Sequence, residues 1–293
     1  MTDTTYGARQ IDREERRFLP TEVFEQPEDP NGLPVLDLHL DDLPFLTDAE
    51  GRITTGALLA ACDSVGGLAC GLAVLPRWIV TTNLTVRRAP SALHDGRGTG
   101  PLRIRADVLR AGRSAAVARL STFDRDDVEV ATGWITSAAL VPEDGPPQHA
   151  RPFHRKLHPL SDDPSACPRM EDFFGVRAGA SSTEGWLDLT EPRRNMWGIL
   201  LGAGVAVLIE HTALAAVAGV PVGDPTPHHV LSDLVIHYLS PGRVGPVVAT
   251  AELIGRHGAD DMVKLDLRDV GADDRPLTTA VATVRRVGRA GSS

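Results

Sequence analysis

The feature of this 293-residue sequence that most restricts its fold is a divergent internal repeat. Self-similarity over a long period means that one structural unit is built twice, and that the two copies must bury their apolar faces together. Gly100–Leu109 reads GPLRIRADVL and Gly245–Ile254 reads GPVVATAELI, and the same displacement carries Asp124 onto Asp269. Upstream, VTTNLTVRRAP ending at Pro90 matches VLSDLVIHYLSP ending at Pro241, with one residue added. Further upstream, GRITTGALLAACD (Gly51–Asp63) lies over GILLGAGVAVLIE (Gly198–Glu210), so that both blocks open on a glycine and close on an acid.

Each copy has the same order of elements. A short strand is expected at Pro34–Leu40 and again at Gly185–Leu189, followed by an apolar helix over about Thr54–Val74 and about Leu200–Ala218. Runs of small apolar residues this long favour helix over strand. Four β-branched, alternating runs follow in the first copy: Trp78–Arg88, Leu102–Arg110, Ala115–Phe123 and Val128–Leu140. Their counterparts are His229–Leu239, Val247–Ile254, Met262–Val270 and Leu277–Val287. Turn signals such as His94-Asp95-Gly96, Ala111-Gly112-Arg113 and Val270–Arg275 separate them. A strand, a long helix and an antiparallel meander make an α+β unit whose helix packs on its sheet. The expected domains are 33–141 and 173–288, after a mostly irregular extension, 1–32, and joined by a linker rich in Pro, His and charge, 142–172.

The formal net charge of −9 argues against a general nucleic-acid surface, which needs clustered positive charge. Three cysteines, Cys62, Cys70 and Cys167, have neither disulfide-framework nor metal-ligand spacing, so no metal is expected. The polar stretch Met1–Arg17 lacks the apolar segment of a signal peptide, which makes the cytoplasm the expected location. Gly198–Val222 has the length of a membrane span, but Glu210 and His211 at its centre favour a helix wrapped by protein over one in lipid. No membrane partner is expected.

The acid near the middle of a glycine-marked helix, the strand ending in YLSP (Tyr238–Pro241) and the AGR turn (Ala111–Arg113) resemble the hotdog superfamily, above all the PaaI-like and 4-hydroxybenzoyl-CoA-type thioesterases. The resemblance covers about Leu33–Val141 and Phe173–Val287. It implies a double hotdog, two tandem units each with a long central helix wrapped by an antiparallel sheet, and thus an internal pseudo-dimer, leaving further homo-oligomerisation open. It also implies an acyl-CoA or acyl-carrier-protein thioester as substrate and no bound cofactor.

In such thioesterases a helix acid works with an upstream Asn, a backbone N–H at the helix start and a hydroxyl on the next strand. The acid maps to Asp63 and Glu210, the upstream position to Asp48 and Asn195, the helix start to Thr55 and Gly202, and the hydroxyl to Thr81 and Leu231. Gly202 and Glu210 are eight residues apart, about 12 Å along a helix, and so cannot address one carbonyl. If the helices pack antiparallel about a pseudo-twofold axis, two composite sites arise. One takes Asn195 and Gly202 with Asp63 and Thr81 and is complete. The other takes Asp48 and Thr55 with Glu210 and Leu231, and keeps only the acid. One working site and one degenerate site are expected.

In the working site the Gly202 N–H would receive the oxyanion, helped by the helix dipole. Asp63, desolvated on an apolar helix, would act as base or nucleophile, with Thr81 bonded to it and Asn195 placing the water. Arg110 and Arg113 are candidates for a CoA phosphate. Plainer readings stand beside these: Asp63 bonded to nearby hydroxyls, Asn195 as a turn residue, Gly202 as a close-packing glycine, and solvated arginines. The His-Gly-Gly that often precedes the helix is replaced by Thr54-Thr55-Gly56 and Leu201-Gly202-Ala203. Alternative functions are a non-catalytic acyl-thioester binding protein and a hotdog dehydratase or hydratase, although no D-x4-H signature stands at a helix start.

Overall fold

The computed structural model describes residues 16–94, 100–141, 152–195 and 197–287. Asp95 and Gly96 of one expected turn, the first fifteen residues, and part of the 142–172 linker lie outside the described residues. The first half contains β1 (Glu22–Gln26), β2 (Val35–Leu40), α1 (Thr55–Val74), β3 (Trp78–Arg88), β4 (Leu102–Ala111), β5 (Ala115–Phe123) and β6 (Glu129–Leu140). After β7 (His154–Lys156) and the short helix α2 (Met170–Phe174), the second half supplies β8 (Val176–Ala178), β9 (Glu184–Leu187), α3 (Gly202–Ala218), β10 (His229–Tyr238), β11 (Val247–His257), β12 (Asp260–Asp269) and β13 (Arg275–Arg286).

These thirteen strands form one sheet, in the order β8-β9-β11-β12-β13-β10-β3-β6-β5-β4-β2-β1-β7. Reading outward from its centre, β3-β6-β5-β4-β2 mirrors β10-β13-β12-β11-β9, so the repeat in sequence is a repeat in topology. The halves join where β3 and β10 pair antiparallel, with Thr85 opposite Val235 and Asn83 opposite His237. Arg87 donates to Asp233 across that seam at 2.6 Å. Alternating strands turn one face to the helices: Val263, Leu265 and Leu267 in β12 are fully buried while Met262 is exposed. Burying each such side chain contributes about 1.5–3 kcal/mol.

The two helices are the centre of the core. Thr54 caps α1 by accepting from the Ala57 N–H at 3.2 Å, and the helix ends before Leu75-Pro76, where proline cannot continue it. At the end of α3, Gly219 takes the left-handed conformation (φ 72°) and its N–H donates to the Ala215 carbonyl. The start of α1 at Gly56 packs on Val207, and the start of α3 at Gly202 packs on Asp63, so the helices run antiparallel. Among the described residues, α1 is the one helix long and apolar enough to cross a membrane, yet 72% of its apolar window is buried inside the protein. The apolar stretch Gly198–Val222 forms α3 and its flanking turns, wrapped as expected.

Two segments expected outside the sheet extend its edge. The extension 1–32 supplies β1, which pairs with β2, and the linker supplies β7, which pairs with β1 through Lys156 opposite Glu22. A separate two-stranded parallel ladder, Arg16–Arg17 with His158–Pro159, ties the same two segments again. The physical reason is that a sheet edge offers unpaired backbone groups to any neighbouring chain, whatever its side-chain pattern.

Candidate functional site

The antiparallel packing of α1 and α3 places a carboxylate from the middle of each helix over the first turn of the other. At the α3 start the carboxylate is Asp63. A methyl group on Gly202 would stand 2.5 Å from Asp63 Oδ2, closer than carbon and oxygen can approach, so this contact requires glycine. Thr81 Oγ1–H donates to Asp63 Oδ1 at 2.8 Å. Thr81 lies where the β3–β6 register shifts, between Thr81 and Asn83, a bulge of the kind that re-aims a side chain. Burial pushes the Asp63 carboxyl above the usual aspartate range, and the Thr81 hydrogen bond only partly opposes it. Gly202 and Ala203 open α3, and neither N–H has an acceptor among the described residues. These donors carry the positive end of the helix dipole.

The mirror arrangement is closed. Thr55 N–H donates to Glu210 Oε1 at 2.8 Å and Gly56 N–H to Oε2 at 2.7 Å, so one carboxylate occupies both first-turn amides of α1. Thr55 Oγ1–H donates to the Leu231 carbonyl at 2.6 Å, and Arg88 donates to the Ile53 carbonyl at 3.0 Å and to Thr55 Oγ1 at 3.2 Å. Burial pushes the Glu210 carboxyl up against the opposing effects of His211, the two amides and Arg88. Burial likewise lowers Arg88 to about 10, with Glu210 acting in the opposite sense. Glutamate is one methylene longer than aspartate. That length lets Glu210 fill the donors of its partner helix, whereas Asp63 lies against Gly202 without bonding either first-turn amide of α3.

Of the residues singled out in the sequence, the structure brings Asp63, Thr81 and Gly202 together, and separately Glu210 with Thr55. Asn195 and Asp48 have matching places in the two loops before the helices. Asn195 Oδ1 accepts from the N–H groups of Trp197 (2.9 Å) and Ile199 (3.3 Å), while Asp48 Oδ1 accepts from those of Glu50 (3.0 Å) and Arg52 (2.9 Å). No hydrogen bond joins Asn195 to Asp63 among the described residues; the loop it shapes carries Trp197, whose ring meets Trp78 edge-on at 4.8 Å. Arg110 and Arg113 are exposed around the turn between β4 and β5, where the Arg113 carbonyl accepts from Arg77 at 2.9 Å, just beyond α1. Among the described residues, no three His, Cys, Asp or Glu side chains gather as metal ligands.

From Asp63 a half-buried strip of α1 runs through Gly67, Leu68 and Gly71. Methyl groups at Gly67 and Gly71 would each meet Ile79 of β3 at 3.7 Å. The strip is apolar, and the adjoining end of β3 bears the Trp78–Trp197 pair. One residue at the site escaped the sequence reading: Tyr238, whose hydroxyl would stand 3.4 Å from a methyl group on Gly202. The YLSP motif marked the strand end, but nothing in it indicates which way the ring turns.

No family model matches the chain, and no curated protein matches it in sequence. Solved structures do match. An acyl-ACP thioesterase from Bacteroides thetaiotaomicron aligns over 86% of this chain and 98% of its own, with a TM-score of 0.56 and 9% identity. The tesB protein of Mycobacterium avium subspecies paratuberculosis aligns over 86% and 93%, with a TM-score of 0.56 and 13% identity. A hot dog fold protein of unknown function from Alicyclobacillus acidocaldarius aligns over 86% and 93%, with a TM-score of 0.54 and 14% identity. With the mirrored strand order, these likenesses establish an α+β double hotdog fold.

Proposed function

We propose that this protein hydrolyses acyl thioesters at a single composite site, in which Asp63 is the base and the first turn of α3 is the oxyanion donor. One observation carries the reading: the α3 amides stand open beside a desolvated carboxylate, while the corresponding amides of α1 are filled by Glu210. Asp63 Oδ2 takes a proton from water as the water oxygen attacks the thioester carbon. The carbonyl π pair moves onto oxygen, which the N–H groups of Gly202 and Ala203 receive. When that pair returns, the C–S bond breaks and the thiolate leaves; a thiol pKa near about 8.5 makes it a good leaving group without a separate acid. The proton held by Asp63 passes to the products, giving a carboxylic acid and a thiol. Thr81 holds Oδ1, so that Oδ2 remains the reactive oxygen.

The Gly67, Gly71 and Ile79 strip leads from Asp63 to the end of α1 where Arg77, Arg110 and Arg113 stand, so the pantetheine arm of CoA or of an acyl carrier protein follows this strip and its anionic end meets those arginines. The shared fold with solved thioesterases supports this reading, as do the YLSP and AGR motifs for the finer likeness to PaaI-like and 4-hydroxybenzoyl-CoA-type enzymes. Incubating the protein with acyl-CoA and acyl-carrier-protein thioesters of graded length, with a thiol reagent as readout, tests it. Turnover that survives Asp63→Asn would refute the assignment. A second reading, acyl-thioester binding without turnover, is favoured by the replacement of His-Gly-Gly; tight binding of a CoA ester that stays intact would establish it.

A further inference from the structure

The axis relating the halves passes through the Thr85–Val235 pair, and three residues beyond each lie Arg88 and Tyr238. The two therefore hold corresponding places, one at each composite site. Arg88 is fully engaged, donating to Ile53 and Thr55 and lying beside the Glu210 charge. Tyr238 is not. Its hydroxyl is buried and has no hydrogen-bond partner among the described residues. An unpaired buried hydroxyl costs about 1–3 kcal/mol, a cost that phenylalanine would avoid in the same space.

Where this hydroxyl points gives the cost a purpose. A methyl group on Gly202 would lie 3.4 Å from Tyr238 Oη and 2.5 Å from Asp63 Oδ2, so the two oxygens flank one small space from neighbouring sides. No hydrogen bond joins them, and the unoccupied amides of Gly202 and Ala203 belong to the same helix start. Burial and the nearby Asp63 charge push the Tyr238 phenol well above its ordinary range, so it remains a proton donor. A buried donor without an acceptor, set beside two open amides and a carboxylate base, is the arrangement expected around an oxygen that gains charge only during reaction.

We infer that Tyr238 is a catalytic residue of the composite site, its hydroxyl donating to the carbonyl oxygen of the bound thioester alongside the first-turn amides of α3. This rests on the thioester reading above and deepens it: Tyr238 keeps its proton throughout, strengthening its hydrogen bond as the π pair moves onto oxygen and relaxing as the C–S bond breaks. The corresponding place at the degenerate site is taken by Arg88, which neutralises a carboxylate already fixed there.

Tyr238→Phe removes only the hydroxyl, and because that hydroxyl has no partner, the variant is expected to be as stable as the parent or more so in denaturant titration. Its kcat/KM on the acyl-CoA panel is expected to fall by about 10²-fold. A binding measurement separates this from a packing role. Two inert acyl-CoA analogues are titrated calorimetrically: a ketone, in which methylene replaces sulfur and the carbonyl oxygen remains, and a thioether lacking that oxygen. Tyr238→Phe is expected to weaken the ketone about tenfold, one hydrogen bond's worth, and leave the thioether unchanged. Wild-type kcat/KM in the variant would overturn the role of Tyr238 while leaving hydrolysis standing, and equal weakening of both analogues would do the same. Selective loss of ketone binding, in a protein whose parent turns over no thioester, would uphold the Tyr238 contact and refute hydrolysis.

Discussion

Asp63→Glu retains the carboxylate and its charge, and adds one methylene. At most this extends the reach by roughly 1.5 Å, one carbon–carbon bond. Glu210 shows what that length does in this fold: its two oxygens take both first-turn amides of the opposing helix at 2.8 and 2.7 Å. A glutamate at position 63 is therefore expected to close over the Gly202 and Ala203 N–H groups, occupying the place reserved for the substrate oxygen. Loss of a single oxyanion donor costs about 2.7–4 kcal/mol of transition-state stabilisation, a factor of about 10²–10³. Losing both, kcat/KM should fall by at least about 10²-fold. Stability should move little, because two charge-assisted hydrogen bonds of about 1.5–3 kcal/mol offset an overpacking cost of about 1–3 kcal/mol. The assay is thiol release across a substrate series, paired with chemical denaturation. A variant with near-parental kcat/KM would refute the reasoning, since it would mean that the open amides of α3 play no part in turnover.

Gly202→Ala drives a methyl group into Asp63 Oδ2 and should lower both kcat and the unfolding free energy, the latter by about 1–3 kcal/mol in denaturant titration. Glu210→Gln replaces one of the two acceptor oxygens by an NH2 group, leaves one first-turn amide of α1 facing a donor, and should destabilise the fold by about 1–3 kcal/mol, while kcat of the protein that remains folded is unchanged. The Asp63 carboxyl, raised chiefly by desolvation, binds its proton more tightly folded than unfolded. Its contribution to stability is thus fully present below the unfolded pKa and is lost as pH rises through the folded one. Asp63→Asn should accordingly stabilise the protein at neutral pH while abolishing turnover, and the parental kcat/KM should rise with pH through that same raised pKa.

Periodicity made most of the architecture legible. β3 and β5 begin and end at the residues the alternation marked, Trp78–Arg88 and Ala115–Phe123, because each run has one buried face and turn residues at its ends. The apolar run placed the start of α1 within one residue, and the structure adds the reason, the capping side chain of Thr54. β11 runs on to His257 rather than stopping at Ile254, since Gly255–His257 pair with Asp260–Met262 around a register shift that no hydrophobic pattern records. β1 and β7 were hidden for a related reason: HRK in β7 is polar throughout, and only its neighbour at the sheet edge makes it a strand. At the site, Asp63, Thr81 and Gly202 were reached through the family resemblance together with the antiparallel packing expected of two repeated helices. The occupancy of the two helix starts was not, because it turns on one methylene and the separation of α1 from α3. Nor was the unpaired state of the Tyr238 hydroxyl, which depends on what surrounds it at the start of α3.

The most direct measurement is a crystal structure with the inert ketone analogue of an acyl-CoA bound. Its carbonyl oxygen should lie within hydrogen-bonding distance of the Gly202 and Ala203 N–H groups, with Asp63 on the opposite side of the carbonyl carbon. A carbonyl bound at the Thr55–Gly56 end of α1, or anywhere away from the junction of the two helices, would contradict the account.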